Sequence, residues 1–284
     1  MPPPLWVILN QISEELKPVS DNPHFEAELL TAHVLKISRA ELLSKVKENL
    51  EPSSELYQYV DRRKKHEPIA YILGYTEFFG LKIQTRPPIF IPRPETELLV
   101  EESLNIIENS QNNKVKVLEL CTGTGCISIA ICLNVNKTID CTAIDLSKDA
   151  ISLAQENANQ NNAKIQFIIG DLFQPLSNIE KYDLIVANPP YISENDRDRL
   201  PSIVKDYEDS LALFSKNDGL DTIQKISQQA RQYLKEGGWL LLEIGDNQKE
   251  QVEQIFEKNG YNNIEILPDL QTLPRAVKGK YLKS

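Results

Sequence analysis

The sequence predicts an α/β fold in which a mostly parallel sheet, covered by helices on both faces, follows a small all-helical domain. Three observations predict it. From Thr96 onward, short apolar strand patterns alternate with helical ones. The residues before about position 75 hold helical spacing and no strand pattern. Finally, Val117-Leu118-Glu119-Leu120-Cys121-Thr122-Gly123-Thr124-Gly125-Cys126-Ile127 reads as a buried strand, a tight glycine turn and the start of a helix.

Taken in order, Leu5, Ile8, Leu9, Ile12 and Leu16 have the spacing of one helix face. Asp21-Asn22-Pro23 opens a second helix, with proline where its missing N–H costs nothing. Ser38-Arg39-Ala40-Glu41 has the form of a capping box, and a fourth helix runs through Leu56, Tyr57 and Val60 into Arg62-Arg63-Lys64-Lys65. Residues 1–75 thus predict a helical domain. Phe78 to Ile83 predicts a hairpin, and Pro87 to Glu97 is too proline-rich for an internal strand. Residues 76–95 therefore form a stiff linker, a wall more than a tether. Residues 96–284 hold a helix to about Asn109, then strands near 115–120, 141–145, 165–169, 182–187 and 238–244. Asn263–Leu267 and Ala276–Leu282, parted by a turn at Pro268-Asp269, predict two antiparallel strands closing the sheet.

The chain has 284 residues, 41% hydrophobic and 25% charged, an ordinary globular composition with room for two domains. No apolar stretch approaches the ~20 residues of a membrane helix, and Met1-Pro2-Pro3-Pro4 lacks the basic start of a secretory signal. The expected location is the cytoplasm. A net charge of −10 gives no general attraction to phosphate backbones, so no direct nucleic-acid partner is expected. Arg62 to Lys65 is the one basic run, and it suits the carboxyl end of a helix. Cys121, Cys126, Cys132 and Cys141 make no metal-ligand spacing or disulfide framework and read as small packing residues, so no metal is expected. His33, inside an apolar helical pattern, reads as a core side chain.

Glycines in the 121–125 loop let the backbone approach a ligand, and the free N–H groups of the following helix start receive polar groups. Asp145, ending the next strand, suits the two hydroxyls of a ribose. Nicotinamide enzymes share this pattern. Three details favour S-adenosyl-L-methionine instead. The third fingerprint glycine is absent, Ile127 and Ser128 following Gly125. Glu119 precedes the loop, where a carboxylate suits a cationic amino-acid end better than a pyrophosphate. Gly170-Asp171-Leu172 follows a third strand, where Asp171 can accept from an adenine amino group and Leu172 cover its face, although Asp171 also reads as a simple turn residue.

Asn188-Pro189-Pro190-Tyr191 follows the apolar run Leu184-Ile185-Val186. An Asn side-chain carbonyl beside a proline-stiffened backbone carbonyl can accept both hydrogens of one planar NH2 group. Such a nitrogen is a poor nucleophile because its lone pair is delocalised, and two acceptors favour the pyramidal form that attacks a sulfonium methyl. Alone, Pro-Pro after a strand is equally a loop that cannot continue a ladder.

Together these residues resemble the HemK/PrmC family, which methylates the side-chain amide of glutamine in peptide chain release factors. The resemblance spans nearly the whole chain. It includes Glu67-Pro68-Ile69-Ala70-Tyr71-Ile72-Leu73-Gly74, Phe79-Gly80-Leu81, Ile91-Pro92-Arg93-Pro94-Glu95-Thr96-Glu97, the glycine loop, Asn188 to Tyr191, and Leu242-Glu243-Ile244-Gly245. It implies a five-helix recognition domain, a hairpin linker and a seven-stranded Rossmann-like methyltransferase domain acting on the Gly-Gly-Gln loop of release factors. It also implies that Cys121, Thr122, Gly123, Thr124 and Gly125 line the cofactor's amino-acid part, Asp145 its ribose and Leu172 its adenine. Asn188, Pro189, Pro190 and Tyr191 are then expected at the substrate glutamine, with Asn188 also beside the cofactor. Cys121 departs from a glycine often found there and is expected to keep ordinary backbone angles. The Pro-rich segment is expected to cover the cofactor, anchored by Arg93 or Glu95, or else to serve only as a rigid linker. The enzyme is expected to be a monomer.

Competing readings are a ribosomal-protein glutamine methyltransferase, separated by residues 1–75, and a nucleic-acid amino-methyltransferase, which needs a basic groove. A nicotinamide oxidoreductase needs the pyrophosphate loop that is incomplete here. A non-catalytic cofactor-binding module has no use for an intact Asn188 to Tyr191.

Overall fold

Apolar residues three and four apart give the first helices one buried face each. In the computed structural model, which describes residues 2–176 and 180–283, these are α1 (Leu5–Leu16), α2 (Pro23–Leu35), α3 (Arg39–Ser44), α4 (Ser54–Lys64) and α5 (Ile69–Leu73). Met1 of the expected helical domain and Ser284 of the expected second domain lie outside the described residues. The chain divides into two units, Met1–Tyr75 with Pro201–Tyr207, and Thr76–Leu200 with Glu208–Ser284.

In the first unit, Ile8, Leu9, Ile12 and Leu16 meet Leu30, Leu42, Leu56 and Val60 in one core. Ser38 accepts from the Glu41 amide at 3.1 Å, but the Glu41 carboxylate turns to Lys45 at 2.8 Å, so half of the capping box forms. His33 is half-buried against the rings of Tyr59 and Tyr75. Three side chains of the basic run are paired inside their own unit: Arg62 with Glu67, buried Arg63 with Glu26 and the Val19 carbonyl, and Lys64 with Glu15. Pro201–Tyr207 joins this unit through the Tyr207 hydroxyl, which donates to the Lys65 carbonyl at 2.8 Å.

The second unit begins with the hairpin of β1 (Tyr75–Phe78) and β2 (Leu81–Gln84), whose Phe78 and Ile83 are buried against Leu99 and Val100 of α6 (Glu97–Glu108). Then follow β3 (Lys114–Leu120), α7 (Cys126–Asn134), β4 (Thr138–Asp145), α8 (Lys148–Gln160), β5 (Gln166–Ile169), β6 (Tyr182–Ala187) and β7 (Ile192–Ser193). After α9 (Ser202–Lys205), which belongs to the first unit, come α10 (Ser210–Leu213), β8 (Phe214–Ser215) and α11 (Asp221–Ala230). β9 (Leu234–Glu243), α12 (Lys249–Lys258), β10 (Tyr261–Pro268) and β11 (Pro274–Tyr281) complete the chain.

The seven-stranded sheet has the order β10-β11-β9-β6-β3-β4-β5, all pairs parallel except those of β11, which runs against both neighbours. Alternation along each strand divides the core. Val117, Leu184, Val186 and Leu241 face α6 and α7, while Leu118, Ile185, Leu240 and Leu242 face α11 and α12. From β3 the chain goes one way to β4 and β5, then returns to β6 on the other side. The carboxyl ends of β3 and β6 therefore bound the crevice at which such sheets bind ligands. Among the described residues no helix is long and apolar enough to cross a membrane.

Candidate active site

That crevice is a cavity of about 590 Å³ whose wall includes Cys121, Thr122, Gly123, Thr124, Asp145, Asp171, Leu172 and Asn188 to Tyr191. The loop after β3 turns sharply because Cys121, Gly123 and Gly125 all adopt left-handed backbone, at φ 57°, 54° and 81°. Cys121 does not keep the ordinary angles expected of it, and a side chain in that region costs ~1 kcal/mol. Desolvation raises the thiol pKa, so this half-buried group is a neutral wall residue. Gly125 stands behind the wall. A Cβ there would lie 3.0 Å from that of Ala154, so this glycine sets the approach of α7 to α8.

Glu119 also differs from its expected place. It is fully buried beneath the loop, off the cavity wall, accepting from the Thr122 hydroxyl at 2.7 Å, the Ser128 amide at 3.1 Å and the Ser128 hydroxyl. It braces the loop. Burial pushes its carboxyl up to about 7 against the pull of those bonds. Asp145 accepts from the amides of Gly123 at 2.8 Å and Ser147 at 2.9 Å, binding the loop to the end of β4 while facing the cavity. Its burial raises its pKa, and the two amides oppose that. Buried Asn157 of α8 joins β2 to the loop: it accepts from the Gln84 amide at 2.7 Å and donates to the carbonyls of Gln84 at 3.1 Å and Thr124 at 2.9 Å.

Across the cavity, Asn188 follows directly on β6. Its Nδ2 donates to the Thr96 hydroxyl at 3.2 Å, and that hydroxyl donates to Glu243 at 2.7 Å. The Tyr191 hydroxyl donates to the other Glu243 oxygen at 3.1 Å. Buried Gln248 donates to the Tyr191 carbonyl at 2.9 Å and the Asp218 carbonyl at 3.1 Å, and accepts from the Gly245 amide at 2.8 Å. Burial raises the Tyr191 phenol far above its ordinary range, so it stays protonated.

The Pro-rich segment contributes Pro88, Ile89, Phe90 and Pro92 to the wall. Arg93 anchors it, donating to buried Glu208 and stacking over Phe90, while the Asp209 amide donates to the Pro88 carbonyl at 2.7 Å. Among the described residues Glu95 makes no such tie; it acts on Glu243 as a nearby like charge.

Residues 8–74 match a family model described as the PrmC N-terminal domain, and residues 111–283 one described as a methyltransferase domain. The release factor glutamine methyltransferase of Coxiella burnetii is 40% identical over 94% of this chain and 95% of its own length. The chain belongs to the release factor glutamine methyltransferase family. The family member from Aliivibrio fischeri is 38% identical over 93% of this chain and 92% of its own. A crystal structure of a methyltransferase from Pyrococcus furiosus shares the fold alone, with a TM-score of 0.54 at 16% identity over 72% of this chain and 91% of that one. In this release factor glutamine methyltransferase family member, Thr96, Asn157, Glu243 and Gln248 are the residues that sequence reading left without a role. Thr96 and Glu243 stand inside motifs already noted, but their meeting across 147 positions leaves no local signal.

Proposed function

We infer that this chain transfers a methyl group from S-adenosyl-L-methionine to the side-chain amide nitrogen of the glutamine in the Gly-Gly-Gln loop of release factors. The observation that carries the reading is the direction of the Asn188 amide. Its NH2 is engaged by Thr96, which leaves Oδ1 to accept from an incoming NH2 group.

The wall suits the cofactor. The strained loop places Thr122 and Gly123 on the cavity wall, the Asp145 oxygens each retain a lone pair for a ribose hydroxyl, and Leu172 offers an apolar face to adenine. When bound, S-adenosyl-L-methionine supplies an electrophilic sulfonium methyl. Asn188 and Pro189 hold the substrate hydrogens and so aim the nitrogen lone pair, an effect of positioning. Tyr191 packs beside them and takes no proton, because its phenol is protonated and committed to Glu243. The surplus proton leaves to water. The helical domain, residues 1–75, recognises the release factor, and residues 96–284 carry the chemistry. One chain supplies every residue named, so a monomer suffices, working in the cytoplasm with the translation machinery.

The test is peptide-mapping mass spectrometry of a purified release factor incubated with the protein and S-adenosyl-L-methionine, beside a Gly-Gly-Ala control. One added methyl on the glutamine is expected. Methyl on a ribosomal protein or RNA and none on that glutamine would overturn the reading.

A further inference from the structure

We propose that Glu243 is a positioning residue that fixes the polarity of the hydrogen-bond chain behind Asn188, so that an acceptor and not a donor meets the substrate amide. The inference rests on the methyl-transfer reading above and deepens it.

Glu243 ends β9 and is 1% exposed. Each of its oxygens receives one hydroxyl, Thr96 on one side and Tyr191 on the other. An ionised carboxylate has no hydrogen to give, so both hydroxyls must donate to it. Thr96 is 2% exposed, directly before α6, and its single hydroxyl hydrogen is then spent. Only a lone pair remains to face Asn188, which must turn its NH2 inward and its Oδ1 outward. A protonated Glu243 reverses this. It can donate to Thr96, Thr96 can donate to Asn188, and the amide then turns its NH2 toward the substrate NH2, donor against donor. The charge on Glu243 thus decides which end of the Asn188 amide is presented to aim the substrate nitrogen.

The groups that face Glu243 are known from each side. Burial has the largest effect and favours the neutral form; Arg275 from β11 favours the charged one, and Glu95, before α6, opposes it. Tyr191, itself faced by Arg93 and Arg275, donates to it, and the Cys126 thiol at the start of α7 is neutral. The balance holds the carboxyl at about 7, so a proton comes and goes near neutrality.

The test compares wild type with Glu243→Gln, Thr96→Val and Thr96→Ser, measuring kcat and KM for a release factor from about pH 6 to 9, and S-adenosylhomocysteine affinity by calorimetry. Wild-type kcat is expected to rise through about pH 7. Glu243→Gln, whose amide oxygen can still accept from Thr96, is expected to show a flat profile, and Thr96→Val, which removes the hydroxyl, to lose about 30-fold or more in kcat above that pH with a flat profile, KM and cofactor affinity staying within about threefold in both. The double variant should be no worse than Thr96→Val, and Thr96→Ser should restore the rate. A retained pH profile in Glu243→Gln, parallel loss of cofactor affinity, or an inactive Thr96→Ser would overturn the proposal. If Glu243→Gln does not fold, the Thr96 pair decides. The Asn188 side-chain amide resonances, followed by NMR, should move through the same pH in wild type and stay fixed in Thr96→Val. Identical titration in both also overturns the proposal. That readout needs no methyl acceptor, so failure of the release-factor reading is seen separately.

Discussion

Gln248 and Tyr191 are joined by a bond of 2.9 Å from the side-chain amide of one to the backbone carbonyl of the other. With its second bond, to Asp218, Gln248 ties the loop after β6 to the turn before α11. Gly219 in that turn lies so close that a Cβ would stand 1.9 Å from the Tyr191 oxygen, and its φ of 85° disfavours any side chain. The Asn188 to Tyr191 loop is therefore held from behind at its last residue.

Gly219→Ala is expected to destabilise the protein by ~3 kcal/mol or more, because backbone must move to admit the methyl. Gln248→Ala should lower kcat by about tenfold while leaving cofactor affinity unchanged, since it frees Tyr191 and not the glycine loop. Denaturant midpoints and steady-state kinetics beside calorimetry check both. An unchanged kcat in Gln248→Ala would show that Tyr191 is held by other means.

Cys121 bears a side chain in left-handed backbone. Cys121→Gly should remain within ~1 kcal/mol of wild type, relief of strain offsetting lost packing and a freer unfolded chain. Cys121→Val should cost ~2 kcal/mol, a β-branched residue being the worst choice at positive φ. Equal thermal midpoints for the two variants would contradict the assigned geometry.

The folded-state pKa of Glu119, about 7, lies above its ordinary 4.5. The folded state then binds the proton more tightly, so this group's contribution to stability is full below the ordinary pKa and is lost as pH rises through about 7. Glu119→Gln removes that slope. Its melting temperature relative to wild type should therefore climb between about pH 5 and pH 8, whereas a constant offset would rule out the raised pKa. Glu243 contributes the same slope to both proteins and cancels.

Asn157→Ala leaves the Gln84 amide and carbonyl and the Thr124 carbonyl without their side-chain partner. Loss of ~2–4 kcal/mol in denaturant titration is expected, with weaker S-adenosylhomocysteine binding as the loop slackens. Loss of stability without any loss of affinity would confine Asn157 to the hairpin.

Where a feature of the site was local, the sequence carried it. The strands ending at Leu120 and Ala187 are apolar runs, the turn at Gly123 has few possible residues, and Asn188 to Tyr191 gains a reading from its place after such a strand. What escaped reading depends on partners far along the chain. Glu119 and Glu243 are both carboxylates closing apolar strands, and nothing in the order of residues says that one braces a loop while the other holds a hydroxyl pair. Gly125 looked like a ligand contact because its packing partner, Ala154, lies a helix, a strand and half of another helix further on. β7 and β8, two residues each, are too short to leave a period.

The central claim is that Asn188 acts on the substrate amide and not on the cofactor. It is tested most directly by kcat for a Gly-Gly-Gln release factor and S-adenosylhomocysteine affinity, measured together in Asn188→Ala. The account predicts a fall of about 100-fold in kcat with affinity within about twofold of wild type. Equal losses in both would contradict it.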